Sequence, residues 1–144
     1  MEQYKHCCPL QIRFSDIDPL NHVNNSCIFQ YYDVGRIHYL TDVLQESLKW
    51  SETTIVIVHI DADFLNPILQ NDNIEVQTRI SRIGNKSVTI SQRIIDDKGL
   101  IKSTCVSIMS GFDRQKGQST LIPQDFKQRF LDYEGVSSEQ DLIS

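Results

Sequence analysis

Asp16, Asp18, His22, Asn24 and Asn25 fall within ten consecutive residues, DIDPLNHVNN. Carboxylates, an imidazole and amides packed at this density can do nucleophilic or acid–base work, and they can equally make a polar turn. Asp18 precedes Pro19, which removes a backbone donor and pushes its predecessor into extended backbone, so the local pattern alone describes a turn at a strand end. A second acidic pair, Asp61 and Asp63 in HIDADF, alternates along a strand-like run and so projects to one face. Paired carboxylates there would suit acid–base chemistry if that face lined a cleft. The expected arrangement instead turns Ile60, Ala62 and Phe64 inward and leaves both aspartates in solvent. His6, Cys7 and Cys8 resemble half of a metal site, but no second pair at zinc-ligand spacing follows and structural zinc takes four ligands, so no metal is expected.

The elements that must hold these residues follow from periodicity. LQIRF alternates, with Leu10, Ile12 and Phe14 on one side, and reads as a half-buried strand. The stretch SCIFQYYDVGRIHYLTDVLQESL places Ile28, Tyr32, Tyr39, Val43 and Leu44 at helical intervals, with Cys27, Tyr31 and Val34 widening the stripe. One long helix is expected, capped by Asn24, Asn25 or Ser26, whose side-chain oxygens can satisfy the free amides of the first turn. Gly35 inside it costs about 1 kcal/mol relative to alanine, and close approach of another backbone would explain it. Asp33 and Arg36 are spaced for an ion pair on the helix surface.

From Ser51 onward the period changes to two. TIVIVHIDADF, NIEVQTRISRI, SVTISQRII and IKSTCVSIMSGF read as four consecutive antiparallel strands, with Ile74, Val76, Thr78 and Ile80 sharing one face and Val88, Ile90 and Ile94 another. Gly84 to Lys86 and Asp96 to Gly99 are hairpin turns. A second helix is expected at PQDFKQRFLDY, opened by Pro123, and residues 134–144 read as a frayed tail behind a single domain over 1–133. The architecture is an α+β fold: a curved antiparallel sheet whose apolar face is covered by the long helix.

Composition narrows the classes of function. A net charge of −5 and scattered basic residues provide no footprint for nucleic acid. The longest strongly apolar run is IVIV, far too short to span a bilayer, and no apolar stretch follows the charged residues of MEQYKHCCPLQ. A cytoplasmic protein with reduced cysteines is expected, Cys27 and Cys105 as small buried thiols.

IRFSDIDPLNHVNNSCIFQYYDVGR, followed by DADFLNPILQNDNIEV and IGNKSVTISQRI, resembles the hot-dog-fold thioesterases of the 4-hydroxybenzoyl-CoA and acyl-CoA thioesterase family. The resemblance covers Leu10 to Phe112. It implies a hot-dog fold, a long central helix wrapped by a five-stranded antiparallel sheet. It also implies a homodimer or homotetramer with sheets joined edge to edge, and hydrolysis of an acyl-CoA thioester with no metal and no cofactor beyond the coenzyme A of the substrate. The family's catalytic aspartate falls on Asp18, as nucleophile or as general base for water; His22 would orient substrate or water, and Asn25, with Asn24, would serve as amide donor or cap. Either role needs an anion-stabilising group opposite the carboxylate, which first-turn amides of the helix can supply. RIGNKS resembles the segment along the coenzyme arm, with Arg82 and Lys86 near phosphates and Ser87 beside them. Asp16 is expected in solvent or paired with Arg13. Ile28 and the Pro-Leu-Asn turn depart from the family pattern and bear on pocket shape. Alternatives are a thioesterase for acyl groups on a carrier protein, against which the acidic balance argues, and a non-catalytic protein binding an acyl or aromatic ligand.

Overall fold

The computed structural model describes residues 4–142. Five strands make one antiparallel sheet: β1 (His6–Leu10), β2 (Thr53–Phe64), β3 (Ile74–Ile83), β4 (Ser87–Asp96) and β5 (Ile101–Asp113), in the order β1-β3-β4-β5-β2. A short sixth strand, β6 (Gln118–Thr120), pairs with Gly111–Asp113 of β5, continuing the lane that β4 leaves at its pairing of Ser87 with Ser110. Consecutive strands β3, β4 and β5 are neighbours through tight turns, as their turn residues require, with Gly99 at φ +86°. β2 instead crosses to the far edge beside β5, which its sequence does not announce.

The long helix α1 runs Asn25–Leu44. Its buried positions, Ile28, Tyr31, Tyr32, Gly35, Arg36, Tyr39, Leu40, Val43 and Leu44, step round at three and four residues and so form one stripe against the sheet. Facing it are Ile74, Val76, Thr78 and Ile80 of β3 and Val88, Ile90 and Ile94 of β4, all buried as the alternation requires. Within this interface Arg36 donates to Gln92 (3.0 Å) while Gln92 donates to Thr78 (3.0 Å) and to the Tyr32 carbonyl (3.1 Å), so the buried polar atoms are partnered. Arg36 also pairs with Asp33, as the spacing suggested.

Several expectations are corrected. The first strand lies upstream, at His6–Leu10; the chain leaves the sheet after Leu10 and makes a 3-10 turn at Phe14–Asp16, with Phe14 84% exposed. Pro9 is tolerated because β1 is an edge strand. Close to Gly35 are side chains, not a backbone: a Cβ there would lie 2.8 Å from both Val76 Cγ2 and Gln92 Nε2. A short helix, α2 (Glu46–Trp50), follows α1. The helix expected near the C-terminus, α3 (Gln124–Glu134), has Pro123 as its N-cap and Gly135 at φ +73° as its left-handed C-cap. Of the tail expected to fray, residues 134–142 are described, and these make specific contacts. Glu134 accepts from the Tyr39 hydroxyl (2.5 Å) and the Ile80 amide (3.2 Å), Val136 and Leu142 pack on the main core, and Glu139–Asp141 form a 3-10 turn.

Candidate active site

The segment between β1 and α1 is a small closed loop. Ile17 and Val23 pair as an isolated antiparallel bridge, the Asp18 amide donates to the His22 carbonyl (3.0 Å), and the Asn21 amide donates back to the Asp18 carbonyl (3.0 Å). Asn21 takes a left-handed backbone, φ 69°, which asparagine tolerates better than most residues. Asp18 and His22 are thereby held on one side of a turn, with the His22 Nδ1 3.8 Å from Asp18 Oδ1. That carboxylate oxygen accepts the Leu20 amide (2.9 Å), so Pro19 and Leu20 wrap around it as a turn former would.

A cavity of about 190 Å³ opens beside this loop, lined by His22, Val23, Asn25, Ile28 and the segment Phe64 to Ile68. Its far wall is the crossover from β2 to β3, and the two walls are joined by a bond from the Val23 amide to the Ile68 carbonyl (2.8 Å). The crossover is itself pinned to β5: the Leu65 and Asn66 amides donate to the Lys102 carbonyl (2.9 and 3.0 Å), and the buried Lys102 ammonium donates to the Pro67 carbonyl (3.0 Å) and pairs with Asp72 (3.1 Å). Phe64 meets Phe29 edge to face at 5.9 Å. Asp18 is half-buried behind His22 and is not itself part of the cavity wall.

Helix α1 begins at this cavity with Asn24 as its cap, its side chain accepting the Ser26 amide (2.9 Å). The Asn24 carbonyl takes the Cys27 amide (2.9 Å), and the Asn24 amide itself goes to the Asp16 carbonyl (2.9 Å). The open row of first-turn amides expected from the sequence is therefore reduced to one donor, the backbone N–H of Asn25, a residue that lines the cavity.

Of the two positions the sequence allowed Asp16, solvent or a pairing with Arg13, the structure has the pairing. Asp16 is only 1% exposed, and beyond the expected contact with Arg13 it accepts the Tyr31 hydroxyl at 2.6 Å. Burial by itself would raise its pKa, but the bonds from Tyr31 and Arg13 outweigh that and hold the carboxyl below its usual range. The neighbouring Cys27 thiol is pushed up by burial and by the Asp16 charge, which keeps it protonated. Tyr31 sat within the helical stripe, so its burial was legible; that its hydroxyl would reach back fifteen residues was not.

The remaining candidates lie elsewhere. Arg82 near the end of β3, Lys86 in the turn and Ser87 at the start of β4 gather at the β3–β4 hairpin, where the Gly84 amide bonds the Ser87 carbonyl (2.8 Å). The loop that carries Asp18 leaves β1 at Leu10, opposite Ile74 at the other end of β3, nine residues or about 30 Å of strand from Ile83, so within one chain the two groups do not meet. Asp61 and Asp63 are exposed and pair in register with Val106 and Thr104, with Ile60 and Ala62 half-buried as expected, whereas Phe64 stays 42% exposed. His6 binds Asp42 (2.8 Å) rather than Cys7 or Cys8, and among the described residues no three His, Cys, Asp or Glu side chains converge as metal ligands. No helix among them is long and apolar enough to cross a membrane.

The sequence model of the thioesterase-like superfamily matches residues 12–130. A thioesterase from Thermus thermophilus, solved in complex with coenzyme A and zinc, superposes with a TM-score of 0.84 at 25% identity, over 96% of this chain and 100% of that one. A predicted thioesterase from Bacillus stearothermophilus superposes with a TM-score of 0.79 at 26% identity, over 92% and 96% of the two chains. The uncharacterized protein YsmA of Bacillus subtilis is 26% identical over 122 residues, 85% of this chain and 82% of its own.

Proposed function

The chain belongs to the thioesterase-like superfamily, and from that membership we propose that it hydrolyses an acyl-CoA thioester to free acid and coenzyme A, as the 4-hydroxybenzoyl-CoA thioesterase branch does. The observation that carries the proposal is a convergence at the start of α1. An imidazole (His22) and the first residue of the helix, Asn25, whose backbone N–H is unused, line one cavity, and a carboxylate (Asp18) stands 3.8 Å from that imidazole. Thioester hydrolysis asks for those three things: a group to attack or to take water's proton, a group to orient the reactants, and a donor for the oxygen that becomes negative. Asp18 either adds to the carbonyl, expelling the coenzyme A thiolate to leave an anhydride that water opens, or removes a proton from water as the water adds. In the second case the tetrahedral adduct collapses with cleavage of the C–S bond, and the coenzyme A thiolate leaves and takes up that proton. Coenzyme A bound in the Thermus relative supports the same leaving group here. No metal or further cofactor enters this chemistry.

The distance between Asp18 and the Arg82–Ser87 turn fits a homodimer. β2 is a twelve-residue edge strand with Ile57, Val58 and Phe64 exposed, a template for pairing with a second copy. It runs from Thr53, beside Asn85 of that turn, to Phe64, beside His22. A two-fold pairing of β2 with its copy reverses the ends, so the turn of one protomer comes to the end of the dimer that carries the other's Asp18. Arg82 and Lys86 then offer charge to coenzyme phosphates, with Ser87 beside them.

Release of free thiol from short, long and aromatic acyl-CoAs, measured on the native chain and on Asp18→Asn, tests the proposal. Native turnover that falls about 100-fold or more in the variant is the expected result. Equal turnover in both overturns the assignment to Asp18. No turnover of any acyl-CoA, with a ligand-induced rise in melting temperature, leaves a binding protein for acyl or aromatic ligands; turnover only of carrier-protein thioesters selects the carrier-protein enzyme.

A further inference from the structure

Asp16 is the polar side chain of the reactive loop that the chemistry above does not use, and it is the most deeply buried of them. Its Oδ2 accepts the Tyr31 hydroxyl (2.6 Å) and the Arg13 backbone amide (3.0 Å), and its Oδ1 accepts Arg13 Nη2 (3.1 Å). Its carbonyl receives the Asn24 amide (2.9 Å). One residue therefore joins three things: the chain arriving from β1, the face of α1 where Tyr31 is buried, and the cap from which α1 starts. The closed loop between the Ile17–Val23 bridge carries Asp18 and His22, and both of its feet stand on residues that Asp16 holds.

We propose that Asp16 and Tyr31 form the positioning pair of the site, fixing the direction of the Asp18 carboxylate and the His22 imidazole without touching substrate. The proposal rests on Asp18 being the reacting carboxylate. Its physical basis is rigidity. The loop's other ties are backbone bonds, that of Val23 to Ile68 buried and those among Asp18, Asn21 and His22 at a half-exposed surface where water competes, whereas the Asp16–Tyr31 bond is both buried and charge-assisted. Burial and the neighbouring carboxylate push the Tyr31 hydroxyl well above the usual phenol range, and the bonds to Asp16 hold its carboxyl low, so donor and acceptor keep their roles across the working pH range. A buried carboxylate here holds a loop that would tolerate a plain turn if its only task were to connect β1 to α1.

The test is Tyr31→Phe, which removes one hydroxyl and keeps the ring, alongside Asp16→Asn, which keeps an acceptor, and Asp16→Ala, which does not. Kinetics on the best acyl-CoA are read with hydrogen exchange of the Asp18, Asn21, Val23 and Asn24 amides. In Tyr31→Phe, kcat is expected to fall about 10- to 100-fold with KM changed less than about twofold, because a displaced reacting group loses rate before affinity. Exchange of the four amides is expected to quicken about tenfold while β3 and β4 amides keep their protection. Asp16→Asn is expected to retain more of kcat than Asp16→Ala. Unchanged kcat in Tyr31→Phe overturns the proposal, and so does a loss matched by general loss of protection in the sheet. If the native chain hydrolyses no thioester, the reading of Asp18 fails by itself. The exchange arm then still decides the clamp: unaltered protection of the four amides in Tyr31→Phe overturns it.

Discussion

Gly35→Ala should destabilise this protein although alanine is the better helix former. By intrinsic propensity the change favours the helix by about 1 kcal/mol. Against that, the added Cβ would sit 2.8 and 2.9 Å from the two Val76 methyls and 2.8 Å from Gln92 Nε2, where carbon atoms want about 3.5–4.0 Å. Val76 is fully buried and stiff at its branched Cβ, and Gln92 is tied at once to Arg36, Thr78 and the Tyr32 carbonyl. Neither can give way cheaply: overpacking costs about 1–3 kcal/mol, and a buried hydrogen bond broken to make room costs about 1–3 kcal/mol more. The net loss is about 1–5 kcal/mol. For a domain of this size that lowers Tm by about 3–15 °C, taking some 3 °C per kcal/mol. Urea denaturation and thermal melting read it directly, and Gly35→Ala combined with Val76→Ala should recover part of the loss that the two single changes predict by addition. A Gly35→Ala protein as stable as the native one, or more stable, would refute the claim that the sheet lies hard against this helix position.

Two further outcomes follow from buried charges. Lys102→Met removes the ammonium that holds the Pro67 carbonyl and Asp72 and lies 3.9 Å from Asp96. It should cost about 3 kcal/mol in urea denaturation and raise the exchange of the Leu65 and Asn66 amides, because carboxylates are left without their cation; unchanged stability would show that the crossover is held by its backbone bonds alone. Asp16 should also make stability depend on acid. Its folded-state pKa lies below the ordinary 3.8, so its contribution is complete above that value and is lost as the pH falls through the lower folded one. Asp16→Asn should therefore be less stable than the native chain by about 2 kcal/mol at pH 7, with the gap narrowing below pH 4. A gap that is constant with pH would mean that folding leaves the Asp16 carboxyl with the pKa it has in the unfolded chain.

Local rules carried much of the architecture. The alternation over Ile74–Ile80 and Val88–Ile94 faces the helix as read, the turns at Gly84 and Asp96 form, and Asn24, one of three proposed caps, receives the Ser26 amide. Such features depend on a few neighbouring residues whose side chains prefer one backbone conformation or one face. Where two local solutions were equally good, the reading slipped. Leu10, Ile12 and Phe14 alternate as a strand, but pairing with β3 is available only to His6–Leu10, and Phe14 ends in solvent. DIDPLNHVNN was legible as a dense polar turn before a helix, and its residue types allowed a candidate chemistry to be named.

What residue order alone determined, then, is periodicity, turns, caps and the identity of the candidate groups, since each is encoded within a few positions of chain. Tertiary structure decided which of those groups meet. It buried Asp16 against Tyr31, sent β2 to the far edge so that Phe64 to Ile68 wall the cavity beside His22, ran Lys102 under that wall, and set the Arg82–Ser87 turn at the other end of the sheet. These contacts join residues from 15 to dozens of positions apart. They depend on the packing of whole elements, whose free energy is summed over many distant side chains and leaves no pattern at any one of them.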